Sequence, residues 1–177
     1  MSELPLVSIA VVNYNNSKYV IDTLNSVSKQ TYSNIELIIA DDGSVDNSVA
    51  LIKKWLKDYK GKYKFFTHKS HRRVAARNTC LRNASGEYYS LMAAGDILLP
   101  EKTAKQLDML RQSGDDVAAV YSDVYLINES GSHLKERYIE KYGKFPQIPS
   151  GNIYEQLFNG NFIPGLSMLI RGMCLMR

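Results

Sequence analysis

Ile35–Asn47, which reads I-E-L-I-I-A-D-D-G-S-V-D-N, is the stretch whose reading decides the fold. Its apolar run, Ile35 to Ala40, is bounded by turn residues and reads as a strand buried on both faces. The run stops at two carboxylates, Asp41 and Asp42. Gly43 and Ser44 supply a tight turn. Ser44 or Asp46 then offers a short oxygen side chain to cap the helix that follows. In open α/β sheets, the carboxyl end of a buried strand is where ligands bind. The plainer alternative is that Asp41 and Asp42 make only turn and cap bonds.

The same grammar extends to both sides. Leu6–Val12 is nearly all apolar and predicts a first strand, ended by the polar loop Asn13-Tyr14-Asn15-Asn16. Ser17 is placed to cap a helix to about Gln30, with Tyr19, Val20, Leu24 and Val27 as its apolar stripe. A second helix runs from about Asn47 to Tyr59, its apolar face including Ile52, Trp55, Leu56 and Tyr59. Tyr63–Thr67 predicts a third strand, Arg72–Ala84 a helix and Glu87–Met92 a fourth strand, followed by the loop Ala93-Ala94-Gly95-Asp96. Pro100 suits the first turn of a further helix to about Ser113. This β-α alternation implies an α/β fold with a mostly parallel central sheet flanked by helices. Beyond it, Val117–Ile127 reads as one long strand, His133–Gly151 as irregular, Asn152–Asn159 as a short helix and Phe162–Ile170 as a last strand.

Bulk properties narrow the class. A hydrophobic content of 45% and a charged content of 23% suit a globular domain. No apolar run approaches the ~18–20 residues of a membrane span. The start Met1-Ser2-Glu3-Leu4-Pro5 lacks the pattern of a signal peptide. Cys80 and Cys174 lie far apart without metal spacing and read as free thiols. The expected location is therefore cytoplasmic. Of 22 Lys and Arg, 11 fall between Lys53 and Arg82, where Asp58 is the only acid. That stripe reads as a solvated face, or as an attractor of a phosphorylated ligand or an anionic membrane surface, which leaves peripheral association with the inner face of the membrane open. No nucleic-acid motif accompanies it.

Three polar clusters, Asn13–Asn16, Asp41–Asp46 and Ala93–Asp96, end parallel strands and converge on one crevice if the sheet forms. An ionised carboxylate only accepts, which suits the ring N–H of uracil, thymine or guanine. Tyr14 offers a face for stacking on a base, and Arg77 suits a phosphate. Neither a G-x-G-x-x-G after the first strand nor a P-loop is present. His68 and His71 read as loop histidines, and Ser44 has no adjacent base and no nucleophile-elbow context.

On these residues the chain resembles glycosyltransferase family 2. The matching pieces are V-S-I-A-V-V-N-Y-N-N at Val7–Asn16, Q-T-Y at Gln30–Tyr32, I-E-L-I-I-A-D-D-G-S-V-D at Ile35–Asp46, A-R-N at Ala76–Asn78 and G-E-Y at Gly86–Tyr88. The resemblance covers nearly the whole chain. It implies a GT-A fold, the Rossmann-like fold of nucleotide-diphospho-sugar transferases, in a single domain over residues 1–177. Residues 1–112 would bind the nucleotide-sugar. Residues 113–177 would begin the acceptor half, apparently truncated. The implied activity is transfer of a sugar, with inversion, from a nucleotide-diphosphate donor to a hydroxyl of a sugar or lipid-linked acceptor, in polysaccharide or cell-surface glycan synthesis. The implied nucleotide-binding residues are Val12, Tyr14, Asn15, Asp41, Asp42, Arg72, Arg77 and Asp96. A divalent cation, Mn²⁺ or Mg²⁺, is implied at the family's D-x-D motif, which here reads Ala93-Ala94-Gly95-Asp96. Asp96 is thus either a lone metal ligand or a cap for the helix near Pro100. Val12-Asn13 stands where many relatives have Pro-Thr, and Cys80 replaces a Gly. The family's general base is an acid beyond the last visible strand, expected past Arg177. A non-catalytic nucleotide-sugar binding module that has lost the D-x-D site is the alternative from another class. A nucleotidyltransferase on a related fold is disfavoured by the missing Gly- and Lys-rich phosphate loop.

Overall fold

The computed structural model describes residues 4–69, 73–143 and 147–172. Strand β1 (Val7–Asn13) leads to helix α1 (Val20–Ser28), β2 (Ile35–Asp41), α2 (Ser48–Leu56), β3 (Lys62–Thr67), α3 (Arg73–Arg82), β4 (Tyr88–Ala93) and α4 (Lys102–Gln112). The short strands β5 (Ala119–Val120) and β8 (Leu169–Arg171) complete a six-stranded sheet of order β3-β2-β1-β4-β8-β5. β1 to β4 are mutually parallel, and β8 runs antiparallel between β4 and β5. This is the mostly parallel α/β sheet flanked by helices that the resemblance implies.

Register does the positioning. Val7 pairs with Ile35 and the ladder runs in step to Asn13 beside Asp41, while Val12 pairs with Ala93. The three polar loops therefore leave the sheet side by side. β1 and β2 are buried along almost their whole length, which is why both read as continuous apolar runs rather than alternating ones. On one face, small residues let α3 approach closely: Ala76 and Cys80 pack on Ala10, Ile38 and Ala40. Burial in that layer pushes the Cys80 thiol up to about 12, so it is an inert core thiol. Cys174 and His71 lie outside the described residues.

One carboxylate interrupts the apolar run. Glu36, 5% exposed, accepts from Ser8 Oγ at 2.5 Å, from the backbone N–H of Ser85 at 2.5 Å and from that of Gly86 at 3.1 Å. Lys64 Nζ lies 3.5 Å away. A Cβ on Gly86 would meet the Ser8 backbone nitrogen at 2.6 Å, so only glycine allows this approach.

Two helix starts differ from expectation. α1 begins at Val20 without a side-chain cap: Ser17 bonds Asp46 instead, through its N–H to Oδ2 at 2.9 Å and through its hydroxyl. α4 begins at Lys102, two residues past Pro100, with no side-chain cap bond from Glu101. Gln30 rather than Asp96 takes a first-turn donor, its Oε1 accepting the Thr103 N–H at 3.1 Å. α2 begins at Ser48 as expected, and Asp46, one of the two expected caps, accepts the Ser48 N–H through Oδ1 at 3.0 Å.

The chain divides into two compact units, Met1–Val120 with Leu169–Arg177, and Tyr121–Met168. The smaller unit holds a two-stranded hairpin of β6 (Tyr125–Ile127) and β7 (His133–Arg137), a π-helical turn at Ile139–Gly143, helix α5 (Tyr154–Asn159) and a 3₁₀ turn at Gly165–Ser167. The single long strand expected over Val117–Ile127 is two short ones. Asp123 Oδ1 accepts the N–H of Val124 and of Ile139, both at 2.8 Å, which offers the backbone an alternative to a ladder. Part of the segment read as irregular is β7, with Asn128 closing the hairpin loop through the N–H groups of Ser130 and Ser132. The last strand is only β8, because Pro164 has no N–H to give a ladder and the 3₁₀ turn follows it.

Candidate functional site: the carboxyl edge of the parallel sheet

The loops after β1 and β2 are locked to each other by short polar side chains. Asn13, fully buried, donates through Nδ2 to Asp41 Oδ1 at 2.7 Å and to Ser44 Oγ at 3.1 Å. Asp41, 1% exposed, accepts in addition from the Ser44 hydroxyl at 2.6 Å and the Ser44 N–H at 2.9 Å. Ser44 Oγ in turn accepts the Asn15 N–H at 2.9 Å, and Asn15 Oδ1 accepts the Val45 N–H at 2.8 Å. Asn15 holds the left-handed conformation, φ +46°, which asparagine tolerates better than most residues. Gly43, at φ +82°, makes the turn after Asp42. Asn13 Oδ1 is buried without a hydrogen-bond partner, a cost a ligand donor could relieve.

A second seam joins these loops to the one after β4. Asn16 Nδ2 donates to the carbonyl of Ala94, and the Ala94 N–H donates to the Val12 carbonyl at 2.9 Å. Thr23 Oγ1 accepts the Gly95 N–H at 2.8 Å and donates to the Asp96 carbonyl at 2.9 Å. Gly95 sits at φ +105° with Asn16 Nδ2 3.0 Å from where a Cβ would lie. Asp46 fixes the outer part of the β2 loop. Burial works against its ionisation, but hydrogen bonds from Ser48 and Ser17 outweigh this and hold its carboxyl at about 2.

The residues expected at the site are partly assembled. Val12, Asn15, Asp41, Asp42 and Asp96 come together at the carboxyl edge with Tyr14, which is 44% exposed. Asp42 is 1% exposed, and its N–H donates to the Asn13 carbonyl at 2.8 Å. Arg77 is exposed, one turn into α3. Arg72 lies outside the described residues. Asp96 turns one carboxylate oxygen back on its own loop, accepting the Ala93 N–H at 3.0 Å; burial raises its pKa against that bond's opposite pull. Among the described residues, no group of three or more His, Cys, Asp or Glu is placed to hold a metal ion. His68 is a loop residue whose ring Nε2 lies 3.2 Å from Thr79 Oγ1. Two connecting residues, Asn13 and Ser44, were not among the expected site residues. Their signal was the short polar composition of both loops, which reveals its meaning only through the β1–β2 register.

This geometry agrees with what the chain is similar to. The family model described as Glycosyl transferase family 2 matches residues 8–177. An uncharacterised glycosyltransferase of Rickettsia conorii is 32% identical over 171 residues, covering 97% of this chain and 26% of that protein. One from Haemophilus influenzae is 36% identical over 110 residues, 62% of this chain and 44% of that protein. The chain thus spans about a quarter to a half of the length of such relatives. Among solved structures, S. aureus TarS in complex with UDP superposes with a TM-score of 0.70 at 19% identity, covering 97% of this chain and 48% of that one. Mannosyltransferase PcManGT from Pyrobaculum calidifontis, in complex with GDP-Man and Mn²⁺, gives 0.71 at 17% identity, covering 99% and 47%. At those identities the two structures speak for the fold, which is GT-A. With the family model spanning nearly the full length and the D-D-G-S loop locked against the Asn-Tyr-Asn loop, the chain belongs to glycosyltransferase family 2.

Proposed function

We propose that the chain is the donor-binding portion of an inverting glycosyltransferase, which moves a sugar from a nucleoside diphosphate sugar to a hydroxyl of a sugar or lipid-linked acceptor in polysaccharide or cell-surface glycan synthesis. The observation that carries this reading is the Asn13–Asp41–Ser44 lock, which presents Tyr14 and Asp42 at the switch point of a parallel sheet. Asp41 is occupied with the lock, so recognition of the base falls to its neighbour. Asp42 accepts the ring N–H of the base, and Tyr14 stacks on it. Val12 and Asn15 shape the floor and rim. Arg77 and Arg72, near the start of α3, take the diphosphate. TarS and PcManGT bind UDP and GDP-Man respectively, and uracil and guanine both carry such a ring N–H.

The metal that the resemblance implies meets a poor donor set. Hard divalent ions take oxygen ligands, and Ala93, Ala94 and Gly95 supply no side-chain oxygen. Asp96 alone remains, with one oxygen committed to its own loop. These residues do not fit a protein-built metal site, and donor binding is assigned to the base and phosphate contacts alone. Acceptor deprotonation needs a carboxylate. The acids after Asp123, namely Glu129, Glu136, Glu140 and Glu155, are all isolated in sequence. We assign the base to the part of such a protein beyond residue 177.

Calorimetry with UDP and GDP tests the reading. One of the two binds, and Asp42→Ala weakens it by roughly 1.5–3 kcal/mol, the range for a hydrogen bond to a charged group. Mn²⁺ changes that affinity by no more than about three-fold, because coupling requires differential ligation that the loop does not offer. Failure of both nucleotides to bind overturns the proposal. The lost acids of D-x-D favour one rival, a binding module without turnover. Release of nucleoside diphosphate from the donor, by a longer chain in the presence of acceptor, separates the two.

A further inference from the structure

The opposite, amino edge of the same sheet carries a cavity. It measures about 510 Å³ and lies among the end of α1, the start of β2 and the residues that follow α2, a size typical of small-ligand sites. It touches β2 at Ile35, whereas the nucleotide loop leaves β2 at Asp41. At about 3.3 Å per residue the two sites stand roughly 20 Å apart, so one donor sugar cannot occupy both.

The walls combine flat apolar rings with uncharged and charged polar groups. Tyr32, Trp55 and Tyr59 are the rings; Asp58, Lys60 and Ser33 are the polar side chains. Trp55 and Tyr59 stack at 4.7 Å between centroids. The polar ends of two rings are already used. The Trp55 indole N–H donates to Asn25 Oδ1 at 2.8 Å, and the Tyr32 hydroxyl to the Pro5 carbonyl at 2.5 Å. Both rings are thereby pinned, and they offer the cavity apolar surface rather than hydrogen bonds. The Tyr59 hydroxyl lies against Gly61, where an added Cβ would sit 2.4 Å from it. Burial raises the Tyr59 pKa, so the group stays a neutral donor and acceptor.

Asp58 decides the ligand class. It is the one acid between Lys53 and Arg82, and it lies in this wall. A carboxylate repels an anionic ligand and accepts from hydroxyl groups. The lysines on edge strand β3 have other tasks: Lys64 pairs with Glu36, and the charge of Lys62 blocks pairing of the edge with other chains. A pyranose presents an apolar C–H face and a rim of hydroxyls. Pinned aromatic faces with a carboxylate, an ammonium and hydroxyls around them match both.

We propose that this amino-edge cavity binds a neutral saccharide unit, as a second carbohydrate site that holds a glycan away from the nucleotide loops. The inference stands on the cavity and does not depend on the donor assignments above. Trp55 is the only tryptophan in the chain, so its emission reports on the site directly. The 177-residue chain is titrated with short neutral oligosaccharides of the gluco, galacto and N-acetylglucosamine series. A saturable change in Trp55 emission is expected, with affinity at least about ten-fold weaker in Asp58→Ala and in Tyr59→Phe. A urea-unfolding midpoint unchanged in both variants shows that they are folded. No saturable change with any series up to about 10 mM overturns the proposal. So does a response that persists undiminished in both variants. Saccharide binding by a chain that binds neither UDP nor GDP would sink the donor reading and leave this one standing.

Discussion

β2 ends in a carboxylate region at each edge of the sheet, and the two are built differently. At the amino edge Glu36 gathers the Ser8 hydroxyl and the N–H groups of Ser85 and Gly86, with Lys64 as a cation beside it. Every partner belongs to a neighbouring strand or its entry, so the carboxylate staples β1, β2, β3 and β4 at their start. At the carboxyl edge Asp41 gathers Asn13 and Ser44, and no cation is among its partners. It is followed at once by Asp42, a second buried acid. The same residue class on the same strand serves the fold at one end. At the other it serves loops that leave a carbonyl of Asn13 unpaired. The difference is one of completeness: the amino-edge staple is electrostatically closed, and the carboxyl edge is left for a ligand to complete.

The largest effect separating these regions is expected at Glu36. Glu36→Ala strands the Ser8 hydroxyl and the Ser85 N–H, while the Gly86 N–H keeps Ser8 Oγ at 2.8 Å, and costs about 3 kcal/mol of stability. Urea unfolding measures it, and an unchanged midpoint would show that the staple carries no load. Its pH dependence has a defined sign. Burial raises the Glu36 pKa, but hydrogen bonds from Ser8 and Ser85 and the Lys64 charge outweigh it, so the folded pKa is lowered. The stability it confers is present above the ordinary carboxylate range and lost as pH falls through the lowered value.

A smaller loss is expected at Asn13. Asn13→Ala removes two hydrogen bonds but leaves Asp41 its Ser44 donors, so stability falls by about 1–2 kcal/mol. Nucleotide affinity should fall with it, because the loop bearing Asp42 loosens. Calorimetry on this variant sharpens the comparison: Glu36→Gln, which keeps an acceptor, should leave nucleotide affinity unchanged. If both variants weaken nucleotide alike, the two edges are one cooperative unit.

The smallest effect concerns Asp46, outside both buried sites. Its folded carboxyl sits at about 2 against an ordinary value near 3.8. Its stabilisation is therefore complete above about pH 4 and disappears as pH falls towards 2. Asp46→Asn should lower stability at pH 7, where the ionised carboxylate contributes fully, and matter little near pH 2, so the acid limb flattens between the two. Chemical denaturation at pH 3 and pH 7 checks it; an equal shift at both pH values would show that ionisation is not the source.

Much of this was legible in advance for a physical reason. β1, β2 and β4 fall within about a residue of their expected bounds, because strands covered on both faces must be apolar throughout. Tyr14, Asp41 and Asp42 were legible because they follow such strands. Two helix starts were missed because a distant side chain intervenes: Ser17 bonds Asp46, 29 residues away, and Gln30 takes the Thr103 N–H of α4. Val117–Ile127 broke for a similar reason, with Asp123 reaching Ile139.

The amino-acid sequence alone was enough for the order of elements through α4, the parallel sheet and the family, all of which depend on local apolar runs and contiguous motifs. The tertiary structure alone decided how the polar residues divide their labour. Asn13, Asp41 and Ser44 became a lock only because the β1–β2 register sets Asn13 beside Asp41. Tyr32, Trp55 and Tyr59, which read as helix and loop aromatics, became the walls of a cavity only where α1 and α2 end beside the start of β2. Hydrophobic periodicity is written along the chain, whereas a hydrogen-bond partner or a cavity wall is set by which distant backbone folding brings within reach.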